Sequence, residues 1–196
     1  RHDTLLIGLP RGGVAVAAAM AAELALPLAP WAVRKLADPA WPEVAIGALA
    51  PGGVVLWGED AGTVSEPRRD WLLRVQRAEL LRRQRLYGDP DPGSLAGLHL
   101  VVVDDGIATG LTARAALISL RRLGPASLSL AVPVVDHRVL EDLEPLVDQL
   151  VVLAVVPHLE AVGVWFERFE QLEDATVLQL LAGSRSLNPA GGSRDV

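Results

Sequence analysis

Short apolar runs alternate with longer segments of helical pattern along most of the chain. The apolar runs predict strands at residues 4–9, 28–33, 98–103, 127–132 and 149–156. The helical segments lie at residues 14–24, 66–87, 112–123, 138–146 and 177–182. Strands that alternate with helices are typical of a mainly parallel sheet with helices on both faces, so we predict an α/β fold.

Two further apolar runs depart from this alternation. Residues 44–50 and 54–57 flank a Pro-Gly-Gly turn at residues 51–53, which predicts an antiparallel β-hairpin. The long helix that follows the hairpin is expected to bury an apolar stripe, formed by Trp71, Leu72, Val75, Leu80 and Leu81.

The size and composition of the chain predict one compact domain. Of its 196 residues, 51% are hydrophobic and 21% are charged, which allows a large core and disfavours disorder. We expect the domain to span residues 1–182. Residues 183–196 are rich in Gly, Ser and Asn and are predicted to form a flexible tail.

The charge and the absence of cysteine exclude several classes of function. The formal net charge of −6 argues against a general nucleic-acid binder, which needs a broad positive field. The chain has no cysteine, which excludes disulfides, thiolate metal sites and a cysteine nucleophile. Because no signal peptide or membrane span is recognisable either, we expect a cytoplasmic protein.

One lysine stands out among the basic residues. Lys35 is the only lysine of 18 basic side chains, and all the others are arginine. A lysine kept in such a chain indicates a position that needs a compact ammonium group, although a surface lysine without a function would give the same pattern.

The segment that carries the chemistry follows the apolar run at residues 98–103. Asp104 and Asp105 come directly after this predicted strand, where two adjacent carboxylates are costly unless a cation or several donors share their charge. The segment then turns into a helix, whose free N–H groups favour an anion. It continues with Gly106, Ile107, Ala108, Thr109, Gly110, Leu111 and Thr112. A diol and metal site thus lies next to a phosphate site, as a ribose 5-phosphate requires.

An apolar strand followed by DDGIATGLT resembles the phosphoribosyl-diphosphate signature of type I phosphoribosyltransferases. The resemblance implies that Gly106 to Thr112 bind the 5-phosphate. It also makes Asp104 and Asp105 catalytic residues that anchor the ribose and hold Mg²⁺, mainly through its bound waters. The sequence lacks the endings of a Walker A loop and of a dinucleotide-binding loop.

A second loop is similar to the pyrophosphate loop of the same family. It consists of Pro10, Arg11, Gly12 and Gly13, directly after the first predicted strand. Glycine permits close approach of the backbone to a diphosphate. The resemblance further predicts a cis peptide bond between Pro10 and Arg11, whereas an ordinary strand-to-helix turn would leave Arg11 in solvent.

The pair Arg34 and Lys35 is similar to the Arg-Lys pair of orotate- and adenine-type enzymes, which approaches the diphosphate. Both residues are therefore expected to be catalytic. The chain looks closest to a bacterial group that carries only the general name phosphoribosyltransferase, through its blocks at residues 34–48 and 161–171. It departs from that group at Ala40 and Trp41, where Gly-Asn is common, and at Leu159, near which an aromatic residue is usual.

The resemblance implies transfer of a phosphoribosyl group from Mg²⁺-bound phosphoribosyl diphosphate to a nitrogen nucleophile, with release of pyrophosphate. The acceptor would be a nucleobase or a related heterocycle, as in nucleotide salvage, and we expect a homodimer. A hood at about residues 157–172 would cover the base, with His158, Leu159 and Ala161 as candidate contacts. Trp165 and Phe166 are candidates for stacking on the base, although core packing is the more frequent role of such residues.

The residue that accepts the proton of the base stays open. Hypoxanthine-type enzymes have a carboxylate where this chain has Ala108, whereas adenine-type enzymes have Ala there and take a Glu from a mobile loop. Glu43 and Glu79 are therefore candidates, although a solvated surface carboxylate is the more frequent role of such residues.

Two alternatives to a free-standing enzyme also stay open. One is a regulator that senses phosphoribosyl diphosphate and binds nucleic acid through an arginine-rich stretch, although the acidic net charge makes a nucleic-acid partner unlikely. In that stretch, formed by Arg74, Arg77, Arg82, Arg83 and Arg85, a solvated helix face or a dimer contact would explain the arginines as well. The other alternative is a catalytic domain beside a fused partner such as a hydrolase, because the chain starts at the first strand.

Overall fold

The computed structural model describes residues 3–37 and 45–186. Its strands are β1 (Thr4–Gly8), β2 (Leu28–Pro30), β3 (Arg34–Ala37), β4 (Ala45–Ala50), β5 (Val54–Trp57), β6 (His99–Val103), β7 (Ser127–Asp136) and β8 (Gln149–Val156). The α-helices are α1 (Gly12–Leu24), α2 (Glu66–Tyr87), α3 (Leu111–Arg121), α4 (Leu140–Leu143) and α5 (Asp174–Ser186). Short 3₁₀ turns complete the described elements, among them Glu59–Thr63 and Val162–Trp165.

The main sheet has five parallel strands in the order β2-β1-β6-β7-β8. This arrangement confirms the predicted α/β fold with a mainly parallel sheet. The register pairs Gly8 at the end of β1 with Val103 at the end of β6. The loops that leave these two strands therefore start side by side, at the edge where ligands bind in open parallel sheets.

Helices cover both faces of the sheet. On one face, Ile7 and Val102 belong to the same buried cluster as Leu117 of α3. On the other face, Leu6 and Val103 belong to a second buried cluster with residues of α1 and α5. Alternate residues of one strand point to opposite faces, so β1 and β6 contribute to both clusters, whereas β7 and β8 contribute only to the first of them.

A smaller antiparallel sheet, in the order β3-β4-β5, lies beside the main one. It confirms the predicted hairpin and extends it by one strand. The predicted strand at residues 28–33 was too long, because β2 ends at Pro30 and the chain leaves the main sheet after Trp31 donates to the carbonyl of Gly8 at 3.2 Å. β3 then pairs with β4 and carries the Arg34–Lys35 pair into the smaller sheet.

The apolar stripe predicted for α2 was partly wrong. The buried residues of this helix are Leu72, Leu80 and Tyr87, whereas Trp71, Val75 and Leu81 are exposed. Adjacent helix positions differ by about 100° around the axis, so Trp71 cannot share the direction of Leu72. Spacings of eight and seven residues do keep Leu72, Leu80 and Tyr87 on one side.

Two other elements are longer than predicted. β7 continues four residues beyond the predicted end at residue 132 and passes through Pro133. Its pairing with β6 ends at Ala131, and its register with β8 skips Pro133, so the proline lies at an interruption of the hydrogen-bond ladder, where its missing N–H is tolerated. α5 runs to Ser186, so the predicted start of the tail at residue 183 lies inside a helix; residues 187–196 lie outside the described residues.

Among the residues that the structure describes, no helix is both long and apolar enough to cross a membrane.

Candidate active site

The loop after β1 packs directly against the two carboxylates after β6. Leu9 donates its N–H to the carbonyl of Val103 at 3.0 Å, which fixes the spacing of the two loops. A Cβ atom at Gly12 would collide with the carboxylate of Asp105, and one at Gly13 would lie 2.5 Å from the Val103 carbonyl oxygen. Glycine is therefore required at both positions for α1 to begin against the carboxylates.

The peptide bond between Pro10 and Arg11 is cis, which confirms that prediction. We refer to residues 10–13 as the diphosphate loop, because the sequence predicts this role for them.

Asp104 and Asp105 are half-buried side by side at the end of β6. Asp105 donates its backbone N–H to Oδ1 of Asp104 at 3.0 Å. Burial raises the pKa of Asp104 well above its ordinary value, and the neighbouring Asp105 carboxylate raises it further. Burial also raises the pKa of Asp105. The two carboxylates thus repel each other and would gain from a cation beside them.

Residues 106–112, the predicted phosphate loop, connect this pair to α3. Ile107 donates to the carbonyl of Val134 at 3.0 Å and accepts from the N–H of Asp136 at 2.9 Å, which attaches the loop to β7. Gly110 precedes the first residue of α3 with φ of 72°, a left-handed conformation that favours glycine. The loop therefore ends at a helix N-terminus, where backbone N–H groups are free to bind an anion.

The phosphate loop also touches the predicted hood at residues 157–172. A Cβ atom at Gly106 would lie 2.7 Å from Cγ1 of Val162, so the loop and the hood meet without a gap. Ala108 packs against the buried cluster of Val134, Val156 and Leu159. Leu159 is thus a buried support of the hood, and not a contact surface for a base as predicted.

Asp136, which the sequence did not single out, anchors the start of the hood. Its fully buried carboxylate accepts from the backbone N–H of Leu159 at 2.9 Å and from Nη2 of Arg138 at 2.6 Å. These bonds, with the Arg138 guanidinium as the largest cause, hold the pKa of Asp136 well below its ordinary value. The sequence does contain one signal for Asp136, a charged residue at the carboxyl end of an apolar run. That signal was missed because the strand was predicted to end at residue 132.

Arg34 and Lys35 are consecutive residues of β3, so their side chains point to opposite faces of the smaller sheet, and both are half-buried. Arg34 donates its Nε to Oε1 of Gln76 in α2 at 2.8 Å. Burial lowers the pKa of Arg34, and the charges of Arg83 and Arg11 lower it further. The bond to Gln76 directs Arg34 toward α2.

A cleft of about 720 Å³ opens between the diphosphate loop and the hood. It is lined by Arg11, Gly12, Ala15, Val16, Asp105, Phe166, Arg168, Phe169, Glu170, Gln171 and Leu172. The rings of Phe166 and Phe169 are 5.3 Å apart. Core packing was the wrong expectation for Trp165 and Phe166, because Phe166 lines the cleft and Trp165 is 49% exposed. The cleft has the size of a small-molecule site.

The remaining candidates for contacts with a base have mixed positions. His158 and Ala161 are exposed, and Nδ1 of His158 lies 2.8 Å from Nη2 of Arg138. Glu79 lies on α2, where bonds from Arg82 and then Arg83 lower its pKa to about 2, so it is a poor proton acceptor. Glu43 lies outside the described residues, as do Ala40 and Trp41.

The chain is similar in sequence to known proteins of one family. The family model of the phosphoribosyl transferase domain matches residues 1–147. Two Mycobacterium tuberculosis proteins, named "Putative phosphoribosyl transferase MT0597" and "Putative phosphoribosyl transferase Rv0571c", are each 39% identical over 181 residues. The match covers 90% of this chain and 41% of each relative, so the chain spans about two fifths of the length of these curated proteins.

Among solved structures, TT1426 from Thermus thermophilus is 32% identical in sequence and has a TM-score of 0.70. That similarity covers 92% of this chain and 88% of TT1426. The family match includes both loops that meet at Asp104 and Asp105. The chain belongs to the phosphoribosyl transferase domain family.

Proposed function

We propose that the chain transfers a phosphoribosyl group from Mg²⁺-bound phosphoribosyl diphosphate to a nitrogen nucleophile, a nucleobase or a related heterocycle, with release of pyrophosphate. The contact between Gly12 and Asp105 carries this proposal. It brings the two loops so close that one ligand can contact both, with a diol and metal site on one side and a diphosphate site on the other.

The carboxylate pair suits Mg²⁺ in particular. Mg²⁺ prefers oxygen ligands, keeps several waters and is commonly held by one or two carboxylates together with substrate phosphates. Asp104 and Asp105 offer such a pair, and within residues 3–37 and 45–186 no cluster of three His, Asp or Glu side chains could hold a metal alone. The metal would therefore arrive with the diphosphate, whose negative charge it neutralises.

The other predicted residues would each bind a different part of the ligand. Backbone N–H groups of the phosphate loop at the start of α3 would bind the 5-phosphate. Arg11, which lines the cleft, and the Arg34–Lys35 pair of β3 would stabilise the departing diphosphate. Positive charge that is already in place at the leaving group lowers the barrier without reorganisation, so catalysis here is mostly positioning and electrostatics.

The hood supplies the wall for the acceptor. Phe166 and Phe169 offer aromatic surface on which a flat heterocycle can stack, opposite the diphosphate loop. A guanidinium group only donates, so Nδ1 of His158 accepts from Arg138, and the proton of the neutral ring is on Nε2. His158 would then be a donor to the acceptor molecule rather than its base.

Pyrophosphate release tests this proposal. The protein is incubated with Mg²⁺, phosphoribosyl diphosphate and a panel of nucleobases and heterocyclic amines, each assayed singly. We expect release with at least one acceptor, and none when Mg²⁺ is replaced by a chelator. Tight binding of phosphoribosyl diphosphate without release for any acceptor would contradict transfer and favour the sensing regulator.

A further inference from the structure

The smaller sheet lies between two helices, because each of its faces packs against one of them. Ala48 of β4 and Leu111 of α3 belong to one buried cluster. Leu36 of β3, Leu49 of β4 and Leu72 of α2 belong to another. The sheet therefore separates α2 from α3, the helix at whose N-terminus the phosphate loop ends.

The register of the smaller sheet shows which helix each member of the Arg34–Lys35 pair faces. Lys35 is paired with Ala48, and Arg34 is paired with Leu49. Residues directly opposite each other on neighbouring strands point to the same face of a sheet. Lys35 therefore lies on the face that packs against α3, and Arg34 lies on the face that packs against α2.

Arg34 is bonded to the middle of α2. Its Nε donates to Oε1 of Gln76 at 2.8 Å, and both side chains are half-buried. Glu79, about one turn further along α2, is bonded by Arg82 and Arg83 instead. The acceptor for Nε of Arg34 is thus a neutral amide, which sets the direction of the guanidinium without neutralising its charge.

α2 also holds the segment that leads into β3. The carboxyl group of Asp89, which follows the end of α2, accepts from the N–H of Ala32 at 2.9 Å. Arg34 is the first residue of β3, so the strand is attached to α2 at its entry by Asp89 and at its first residue by Gln76. Together these bonds fix the position of β3, and with it the backbone from which the Lys35 side chain starts.

Lys35 faces the helix whose N-terminus forms part of the predicted phosphate site. A Cβ atom at Gly58, directly after β5, would lie 3.0 Å from Cδ1 of Leu111, the first residue of α3. Near the other end of α3, Oγ of Ser119 donates to the carbonyl of Pro51, directly after β4, at 2.7 Å. The start of α3 therefore lies at the end of the smaller sheet where β5 ends, and β3 runs toward that same end because β3 and β5 are both antiparallel to β4. The flexible stem of Lys35 can extend in that direction.

We propose that the two members of the pair have different tasks. Lys35 contacts the phosphate groups of the ligand, and Arg34 is a positioning residue that holds β3 against α2 through Gln76. The task of Lys35 rests on the proposed transferase function, whereas the task of Arg34 rests on the geometry of the smaller sheet. A compact ammonium suits a dense phosphate charge, and Arg34 lies on the opposite face of the sheet and does not share this contact.

Calorimetric titration of Mg²⁺-phosphoribosyl diphosphate into single and double variants tests this division. Lys35→Met removes the ammonium and should weaken binding at least about 30-fold. Arg34→Met and Gln76→Leu should each weaken it only about threefold to tenfold, because they loosen β3 without removing a contact to the ligand. The variant that carries both Arg34→Met and Gln76→Leu should bind no more weakly than the weaker single variant, since the two residues act as one tie.

Gln76→Glu separates a positioning role from a contact with the ligand. The carboxylate keeps an acceptor for Nε of Arg34 but neutralises the charge of the guanidinium. Because Arg34 only positions β3, binding by this variant should stay within about twofold of the wild type. Gln149→Leu, at an exposed position on β8, is the control and should bind like the wild type.

The outcomes separate this inference from the proposed function. Binding as weak for Arg34→Met as for Lys35→Met, unchanged binding by Lys35→Met, additive effects of Arg34→Met and Gln76→Leu, or a large loss in Gln76→Glu would overturn the inference alone. Absence of binding by the wild type would overturn the proposed function, and with it the task of Lys35.

Discussion

The region where residues 10–13 meet Asp104 and Asp105, which we call the diphosphate edge, and the hood are built in different ways. At the diphosphate edge, the backbone of two glycines packs without room for a side chain. Gly12 lies against the carboxylate of Asp105, and Gly13 lies against the backbone carbonyl of Val103. The hood is held by separate anchors: the Asp136 carboxylate, the packing of Leu159 and Val162, and the packing of Leu172 against the second core cluster. Its remaining residues leave large apolar and charged side chains exposed.

This difference indicates which region would carry each part of the proposed function, the binding of phosphoribosyl diphosphate and the recognition of an acceptor. Binding of a phosphoribosyl diphosphate needs a fixed set of charges, and close-packed backbone between two strands provides it. In the proposed function, recognition of an acceptor would depend on the hood, many of whose apolar and charged side chains are exposed. Changes at the diphosphate edge should therefore abolish binding of phosphoribosyl diphosphate, whereas changes at the buried anchor of the hood should act through stability.

The largest expected effect is that of Gly12→Ala. The added methyl group collides with the Asp105 carboxylate and must separate the two loops, so affinity for Mg²⁺-phosphoribosyl diphosphate should fall by at least about 100-fold, measured by calorimetric titration. Gly62→Ala is the matched control, because nothing lies near a Cβ atom there and no effect is expected. If Gly12→Ala and Gly62→Ala bound Mg²⁺-phosphoribosyl diphosphate with equal affinity, the close packing at the diphosphate edge would not be needed for binding.

The next effect is that of Asp136→Asn at the hood. The substitution removes the buried carboxylate and weakens the bonds that it accepts from Arg138 and from the Leu159 N–H, so the free energy of unfolding should fall by about 2 kcal/mol at pH 7. Denaturant unfolding measures it. Because the pKa of Asp136 is lowered in the folded protein, its contribution is present above the ordinary aspartate range and is lost as the pH falls below it.

The exposed ion pair of Arg114 and Asp142 provides the control for this result. Asp142→Asn should cost less than about 1 kcal/mol, because exposed pairs contribute little. If Asp136→Asn cost no more than Asp142→Asn, the hood would not depend on its buried anchor.

A smaller effect is expected at Asp89, a largely buried carboxyl group that accepts from the Ala32 N–H at 2.9 Å, two residues before Arg34. Burial raises its pKa to about 7. A raised pKa means that its stabilising contribution is complete below about pH 4 and is lost as the pH rises through about 7. Relative to the wild type, Asp89→Asn should therefore gain on the order of 2 kcal/mol between pH 5 and pH 8.5. A constant difference between the two proteins across this range would contradict the assignment.

The sequence predicted the positions of the two loops and the cis peptide bond for a physical reason. Both loops follow apolar runs, and the carboxyl ends of parallel strands meet at one edge of a sheet, so residues 10–13 and the segment from Asp104 to Thr112 could be assigned to the same edge. The strands and helices followed from apolar periodicity, and α2 begins and ends where the sequence predicts it to, at Glu66 and Tyr87.

The sequence predicted less well those features that depend on contacts between residues far apart in the chain. Asp136 acquires its role from Leu159, a residue on a different element, and no local pattern shows this bond. Trp71, Val75 and Leu81 have the apolar character of core residues, so composition alone assigned them to the core that Leu72 and Leu80 form.

The account depends most on the claim that Asp104 and Asp105 hold Mg²⁺ and the ribose of phosphoribosyl diphosphate. Titration calorimetry of the ligand into Asp104→Asn with Asp105→Asn, with and without Mg²⁺, tests it most directly. Asp60→Asn with Asp142→Asn removes two exposed carboxylates outside the cleft and serves as the charge-matched control. We predict Mg²⁺-dependent binding by the wild type and the control, and its loss in the Asp104 and Asp105 variant. Unchanged Mg²⁺-dependent affinity in that variant would contradict the central claim.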